Sequence, residues 1–255
     1  MNPSEIALMA AVEGEHWWYR GLRDLLARLL SGPCELAPGA KILDAGCGTG
    51  ANLRHLQEIL RPAYLGGFDL SPEAIAWSRR KSPLADLYVS DLRDPELHAD
   101  GFDLVLSLDA IYIPGLTDSV NGLRRLASAL RPGGLFLLHL PALPWLRGEH
   151  DVAVQTRDRF TRARIQTLFA LLGLEPMLLT YRLFWLLPLI VATRIPSRLL
   201  RPRARAAARS DLHRRQPAAV ENFFYATLRA ENRRIAAGGT FPWGSSILGI
   251  GRRSG

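Results

Sequence analysis

The 255-residue chain is poor in cysteine, carrying Cys34 and Cys47 alone. Two thiols without Cys-x-x-Cys or Cys/His spacing exclude a disulfide framework and a cysteine-ligated metal site, and they favour a reducing compartment. Lysine is scarcer still for a basic protein: Lys41 and Lys81 are the only two. Neither follows a glycine loop, which excludes the phosphate loop with its Gly-Lys-Ser/Thr ending. No uncharged apolar run approaches the roughly 20 residues that a bilayer-spanning helix needs. The N-terminal stretch carries Glu5, Glu13 and Glu15 and has no basic region followed by an apolar core, so no export signal is read there and a cytoplasmic protein is expected. No metal is expected either.

What is present is a chain that is 48% hydrophobic, enough for one sizeable core with an appended subdomain. Its net charge of +8 is concentrated. Between Arg194 and Arg215 lie eight arginines and one acid, Asp211, so this one segment carries +7 of the total. Basicity gathered in one place is weak evidence for a nucleic-acid partner of the whole chain.

The chain is organised around Lys41-Ile-Leu-Asp-Ala-Gly-Cys-Gly-Thr-Gly-Ala-Asn-Leu53. Ile42 and Leu43 read as a buried strand, which then meets Gly46, Gly48 and Gly50 at alternating positions. Without Cβ atoms the backbone can lie flat against a ligand, while the helix opening near Ala51 points free N–H groups toward it. Asp44 at the strand end suits a cationic ligand rather than a phosphate. A second strand, 64–68, ends at Asp69, about 20 residues beyond the loop, where an acid can accept both hydroxyls of a ribose. Ser71 and Pro72 then open a helix to Arg80, as N-cap and first helical residue. A third strand, 87–90, ends at Asp91-Leu92.

Asp44-x-Gly-x-Gly-x-Gly50, followed by Asp69 and Asp91-Leu92 at these intervals, resembles the cofactor motifs of class I S-adenosylmethionine-dependent methyltransferases. The stretch Glu13-Gly-Glu-His-Trp-Trp-Tyr-Arg20 is similar to the aromatic opening of one branch of that family, in which an N-terminal lid packs over the methionine end of the cofactor. The turn Leu130-Arg-Pro-Gly-Gly134 is a further family mark. The resemblance implies an α/β fold: a Rossmann-like seven-stranded sheet of order 3-2-1-4-5-7-6 with helices on both faces. A helical lid over 1–35 precedes a core of 36–182 with 244–255, and a helical, arginine-rich insertion over 183–243 separates strands 6 and 7.

Periodicity fills in the remaining elements. Residues 4–30 form a front helix pair with Leu22, Leu25, Leu26, Leu29 and Leu30 as its apolar stripe. Strands are expected at 102–109, 135–140, 175–182 and 245–252. Helices are expected at 117–130, stopped by Pro132 and Gly133, at 161–173 capped by Thr161, and at 219–236. The apolar run 183–193 is broken by Pro188 and lies directly before the arginine segment. That order suits either a helical subdomain with a solvated basic loop or an interfacial anchor on an anionic membrane through Leu183 to Arg215.

The resemblance implies that S-adenosyl-L-methionine is bound by Arg20, Asp44, Gly46, Cys47, Gly48, Gly50, Asp69, Leu70, Asp91, Leu92 and Leu108, and is released as S-adenosyl-L-homocysteine. Trp17, Tyr112 and Trp145 are candidates for acceptor contact. His16, Asp109, Tyr112 and His139 are candidates for a general base, and His150 is the other histidine near the expected site. The chain departs from the family where Tyr112-Ile113 replaces a frequent Glu-His, and where Gln155-Thr-Arg-Asp-Arg-Phe160 lacks a histidine. The expected activity is O-methylation of a small-molecule, glycan or lipid-linked hydroxyl compound near the inner membrane face. The alternatives are methylation of RNA or another nucleic acid, for which no separate binding module or Asn-Pro-Pro-Tyr-like motif is found, and cofactor binding without catalysis.

Overall fold

The computed structural model describes residues 3–148, 151–152, 154–200 and 216–255, with only the backbone for residues 3–4 and 194–200. The expectations placed on His150 and on the arginine side chains from Arg194 to Arg215 lie outside the described residues.

Seven strands form one sheet in the order β3-β2-β1-β4-β5-β7-β6, the order implied by the resemblance, with helices on both faces. β1 (Lys41–Ala45) lies at the centre between β2 (Tyr64–Asp69) and β4 (Phe102–Leu108), all parallel, with Leu43 in register with Gly66 on one side and Val105 on the other. β3 (Asp86–Val89) extends the parallel set beyond β2, and β5 (Leu130–Pro141) beyond β4. β7 (Ser246–Arg253) inserts antiparallel between β5 and β6 (Leu174–Arg182). Strands covered on both faces need continuous apolar runs, and Ile42, Leu43, Leu104, Val105, Leu106 and Phe136 are all buried accordingly.

The helices in chain order are α1 (Pro3–Val12), α2 (Trp17–Leu30), α3 (Ala51–Leu60), α4 (Pro72–Lys81), α5 (Leu116–Ser128), α6 (Arg162–Leu171), α7 (Leu187–Leu200) and α8 (Ala218–Ala236). The expected caps are in place: Ser71 accepts from the Ala74 N–H and Thr161 from the Arg164 N–H, each at 3.3 Å. Two differences from expectation have a clear physical cause. α5 stops at Ser128, before the Arg131-Pro-Gly-Gly134 turn, because the Ala129 carbonyl accepts from Phe102 N–H (3.0 Å) and Leu130 already pairs with Phe102 as the first residue of β5. Pro188 does not break the apolar run; it sits in the first turn of α7, where a missing N–H costs nothing.

The insertion folds back on the N-terminal helices. α2 lies along α8, and Gly21 admits Leu228 so closely that a Cβ there would stand 2.3 Å from Leu228 Cδ1. Glu221 on α8 accepts from the Trp17 N–H (2.8 Å), capping α2 from outside, and Trp17 packs on Phe224 with ring centroids 5.1 Å apart.

Candidate active site

The carboxyl ends of β1, β2, β3 and β4 open into one cavity of about 1380 Å³, closed on the far side by α1, the start of α2 and α7. Its floor is the glycine loop. Gly46 has φ +86°, and a Cβ there would stand 2.4 Å from that of Ala110, so only glycine lets the loop meet the end of β4. The Gly46 and Cys47 N–H groups both donate to the Phe68 carbonyl at 2.9 Å, tying the loop to β2. Gly50 does not face the cavity but packs against Ser78 of α4, so its contribution is to seat the loop.

The strand-end acids differ in environment. Asp44 is buried beneath the loop, and neither of its carboxylate oxygens has a partner among the described residues. Burial, with Asp69 adding like charge, pushes its carboxyl up to about 7. Asp69 lines the cavity and accepts from the Gly48 N–H (3.0 Å) and the Ser71 N–H (2.9 Å); burial raises its carboxyl, and those two donors oppose the rise. Asp91 stands at the cavity rim, where Arg93 Nε donates to both its oxygens (2.8 and 3.0 Å) and holds its carboxyl below the usual value.

The N-terminal segment lies over this floor. Met9 of α1 covers Gly48, and Glu13 accepts from Thr49 Oγ1 (2.6 Å) and pairs with Lys81 Nζ, which also donates to the Ala10 carbonyl (3.1 Å). His16, Trp17, Trp18 and Tyr19 follow along the wall. Beyond them the cavity becomes apolar, between Leu183, Leu186, Leu189 and Ile190 of the insertion and Phe224 of α8.

A buried polar chain runs from the cavity into the insertion. Asp109 is at the end of β4 with φ +53°, a left-handed conformation that aspartate tolerates better than most residues. Both its oxygens lie 3.1 Å from Nδ1 of the fully buried His139, whose Nε2 lies 3.0 Å from Arg182 Nη1. Arg182 Nη2 donates to Asn232 Oδ1 (3.2 Å), and Asn232 Nδ2 donates to the Gly21 carbonyl (2.8 Å) and Asp24 (2.9 Å). Glu231 accepts from the Leu183 and Trp185 N–H groups at 2.8 and 2.9 Å and is the main acid supporting the Arg182 charge, while burial lowers the guanidinium to about 10.

The cavity thus brings together His16, Trp17, Gly46, Cys47, Gly48, Asp69, Leu70, Asp91, Leu92, Leu108, Asp109 and Tyr112 of the sequence candidates. It does not bring Arg20, whose guanidinium lies 4.0 Å over the Tyr225 ring, nor Trp145, half exposed on a short 3-10 turn (Pro144–Leu146). His139 stands behind Asp109 rather than in the cavity. His16 spends its Nδ1 accepting from the Trp18 N–H (3.3 Å) as the N-cap of α2. Tyr112 is raised well above an ordinary phenol by burial and by Asp109, so it keeps its proton. The Cys47 thiol is likewise raised by burial, which makes it an inert small side chain.

Sequence reading missed Arg182, Glu231 and Asn232. It also missed the buried Arg159–Asp151 pair at 2.9 Å on the cavity wall. Arg182 alone gave a local signal, a charge set in the largely apolar run 178–187, whereas Asp151, Arg159, Glu231 and Asn232 lie in polar or mixed stretches. Among the described residues no group of three or more His, Cys, Asp or Glu side chains could hold a metal ion.

Residues 42–134 match a family model described as a methyltransferase domain. The chain is 34% identical over 101 residues to a fatty-acid O-methyltransferase of Mycolicibacterium smegmatis, covering 39% of this chain and 36% of that protein. It is 31% identical over 107 residues to a dTDP-3-amino-3,6-dideoxy-alpha-D-glucopyranose N,N-dimethyltransferase of Streptomyces fradiae, covering 42% and 40%. The chain therefore spans well under half the length of these curated relatives. The methyltransferase solved in complex with the Haloferax volcanii Trm112 activator shares the fold over 99% of this chain and 95% of its own, with a TM-score of 0.64 at 21% identity. Loop, sheet order and matched segment agree: residues 42–134 match a methyltransferase domain, and they lie in a sheet with the strand order of the class I S-adenosylmethionine-dependent methyltransferase fold.

Proposed function

We propose that the chain methylates the hydroxyl of an apolar or lipid-linked acceptor, using S-adenosyl-L-methionine. The observation that carries this reading is the division of one cavity into an acid-lined floor at the sheet edge and an apolar arm under α7. Its volume exceeds the few hundred to 1,000 Å³ typical of single-ligand sites, so two ligands fit side by side. The residues fit the cofactor on their own evidence: a glycine cradle that a Cβ would fill, Asp44 buried without a counter-charge, and Asp69 already oriented by two backbone donors. S-adenosylmethionine supplies a methyl group already activated on a sulfonium, and its departing thioether is neutral. The chain is left to align the acceptor and exclude water. Asp69 takes the ribose hydroxyls, the Asp91-Leu92 turn takes adenine, and Trp17, Trp18 and Phe224 shield the reacting end.

The test is formation of S-adenosylhomocysteine with alkyl-chain alcohols and phenols as acceptors. Binding of the cofactor with no turnover on any acceptor would instead support a non-catalytic binder. Because Arg93 already occupies the Asp91 carboxylate in an exposed pair, adenine competes for it cheaply. Asp91→Ala is expected to weaken cofactor binding by about 1 kcal/mol and to erase the preference over the inosine analogue; calorimetry with both nucleosides checks it, and a retained preference rules the contact out.

Peripheral contact with an anionic membrane is part of the same proposal. No helix among the described residues is long and apolar enough to cross a membrane. Trp185 just ahead of α7, Leu189 of α7 and Phe223 of α8 are exposed, and the arginine segment follows α7 in sequence. Replacing these three by serine is expected to abolish flotation with phosphatidylserine-containing liposomes; equal flotation would sink the idea.

A further inference from the structure

We infer that the acceptor presents a hydrogen-bond donor, a hydroxyl or an amine and not a carboxylate, to Asp109, and that His139 and Arg182 are positioning residues for that carboxylate. The inference rests on the methyl-transfer reading and names the acceptor class for the same site. Its first support is geometric. Arginine can only donate, so Arg182 Nη1 at 3.0 Å makes His139 Nε2 an acceptor. The imidazole proton is therefore on Nδ1, donated to Asp109 at 3.1 Å. The lone pair through which His139 could act as a base is already held by a guanidinium, and the ring is fully buried. Asp109 is the member of the chain that reaches the cavity, with 27% of its side chain exposed, and it adjoins Ala110, against which Gly46 packs. That places the carboxylate beside the cofactor loop.

The second support is charge. Among the described lining residues, acids outnumber arginines six to two, and there is no lysine. Both arginines are committed, Arg93 to Asp91 and Arg159 to Asp151. An anionic acceptor would meet no unengaged arginine or lysine among the described lining residues and would face Asp109 directly, whereas a hydroxyl or amine would donate to it. In the step itself the acceptor oxygen or nitrogen forms its bond to the methyl carbon as the carbon–sulfur bond breaks. The sulfur keeps that electron pair as a neutral thioether, and the acceptor proton passes to Asp109.

The experiment uses an alkylphenol, an alkylamine and a fatty acid of equal chain length, with cofactor affinity measured separately by calorimetry. The expected results are turnover of the phenol or the amine over the fatty acid, and a loss of about 100-fold in kcat for Asp109→Asn with cofactor Kd unchanged. His139→Leu is expected to lose kcat while His139→Asn, whose amide can still donate to Asp109, recovers most of it; a merely structural role would not be rescued this way. In the wild type, 15N-histidine NMR should show the proton on Nδ1 and a shift of that signal when the phenol or amine binds. Fastest turnover of the fatty acid, an unaffected Asp109→Asn variant, or a His139 signal that no acceptor moves would each overturn the inference. Absence of cofactor binding by the wild type would bring down the methyl-transfer reading beneath it.

Discussion

Asp44→Asn is expected to stabilise the protein above neutral pH while weakening its hold on S-adenosylmethionine. In the unfolded chain this carboxyl has its ordinary value of 3.8, and in the folded chain it is pushed up to about 7. Between those values the native state holds the extra proton, so stability falls as pH rises from about 4 to about 7 and the penalty is fully present above 7. A shift of roughly three units corresponds to at most about 4 kcal/mol. The asparagine variant escapes this ionisation cost, and at pH 8 its Tm should rise by several degrees, at about 2 to 4 °C per kcal/mol for a chain of this size.

Binding carries the opposite sign. A cationic ligand above the loop favours the ionised form of Asp44, so binding releases a proton below pH 7 and affinity climbs with pH until it levels off there. In Asp44→Asn the climb disappears and Kd at pH 8 weakens by about tenfold or more, the scale of one charged contact. Calorimetry in two buffers of different ionisation heat reads the proton directly; no proton release in the wild type would exclude Asp44 as the counter-charge.

Gly122→Ala should have the second large effect, with a sign that helix propensity alone gets wrong. In the middle of α5, alanine for glycine would by propensity add up to about 1 kcal/mol of stability. Here a Cβ would lie 1.9 Å from the Leu92 carbonyl oxygen and 2.9 to 3.0 Å from the Leu92 and Arg93 carbonyl carbons. Backbone cannot swing aside as a side-chain tip can. Either α5 or the Asp91-Leu92-Arg93 turn must move, and the expected cost is about 2 to 3 kcal/mol. Since Asp91, Leu92 and Arg93 all line the cavity, cofactor affinity should fall together with the denaturation midpoint. An alanine variant as stable as the wild type would show that this close approach does not govern the turn.

These two residues mark what one-dimensional reading can reach. Asp44, Asp69 and Asp91 were legible because each terminates a short apolar run, and a parallel sheet brings successive strand ends to one edge whatever the rest of the chain does. Gly122 was not, because its reason is a backbone 30 residues away, and an amphipathic stripe through Leu123 and Leu126 carries no trace of that contact. Asp109 and His139 were both visible as candidates, but their roles separate only when Arg182 is seen to take the imidazole lone pair, a contact set by strand pairing across β5, β7 and β6. The family resemblance gave Arg20 to the cofactor, but its guanidinium lies over Tyr225, because α8 runs along α2, a packing that no local pattern announces.

That packing also bears on how ligands get in. With Leu228 seated on Gly21, Glu221 on the Trp17 N–H and Asn232 on the Gly21 carbonyl, the aromatic front and the last helix are clasped together. Neither can swing away from the mouth of the cavity alone. Opening belongs to the two as a unit, or to the α1 segment ahead of them, and removing α8 would therefore unseat the doorway along with the insertion.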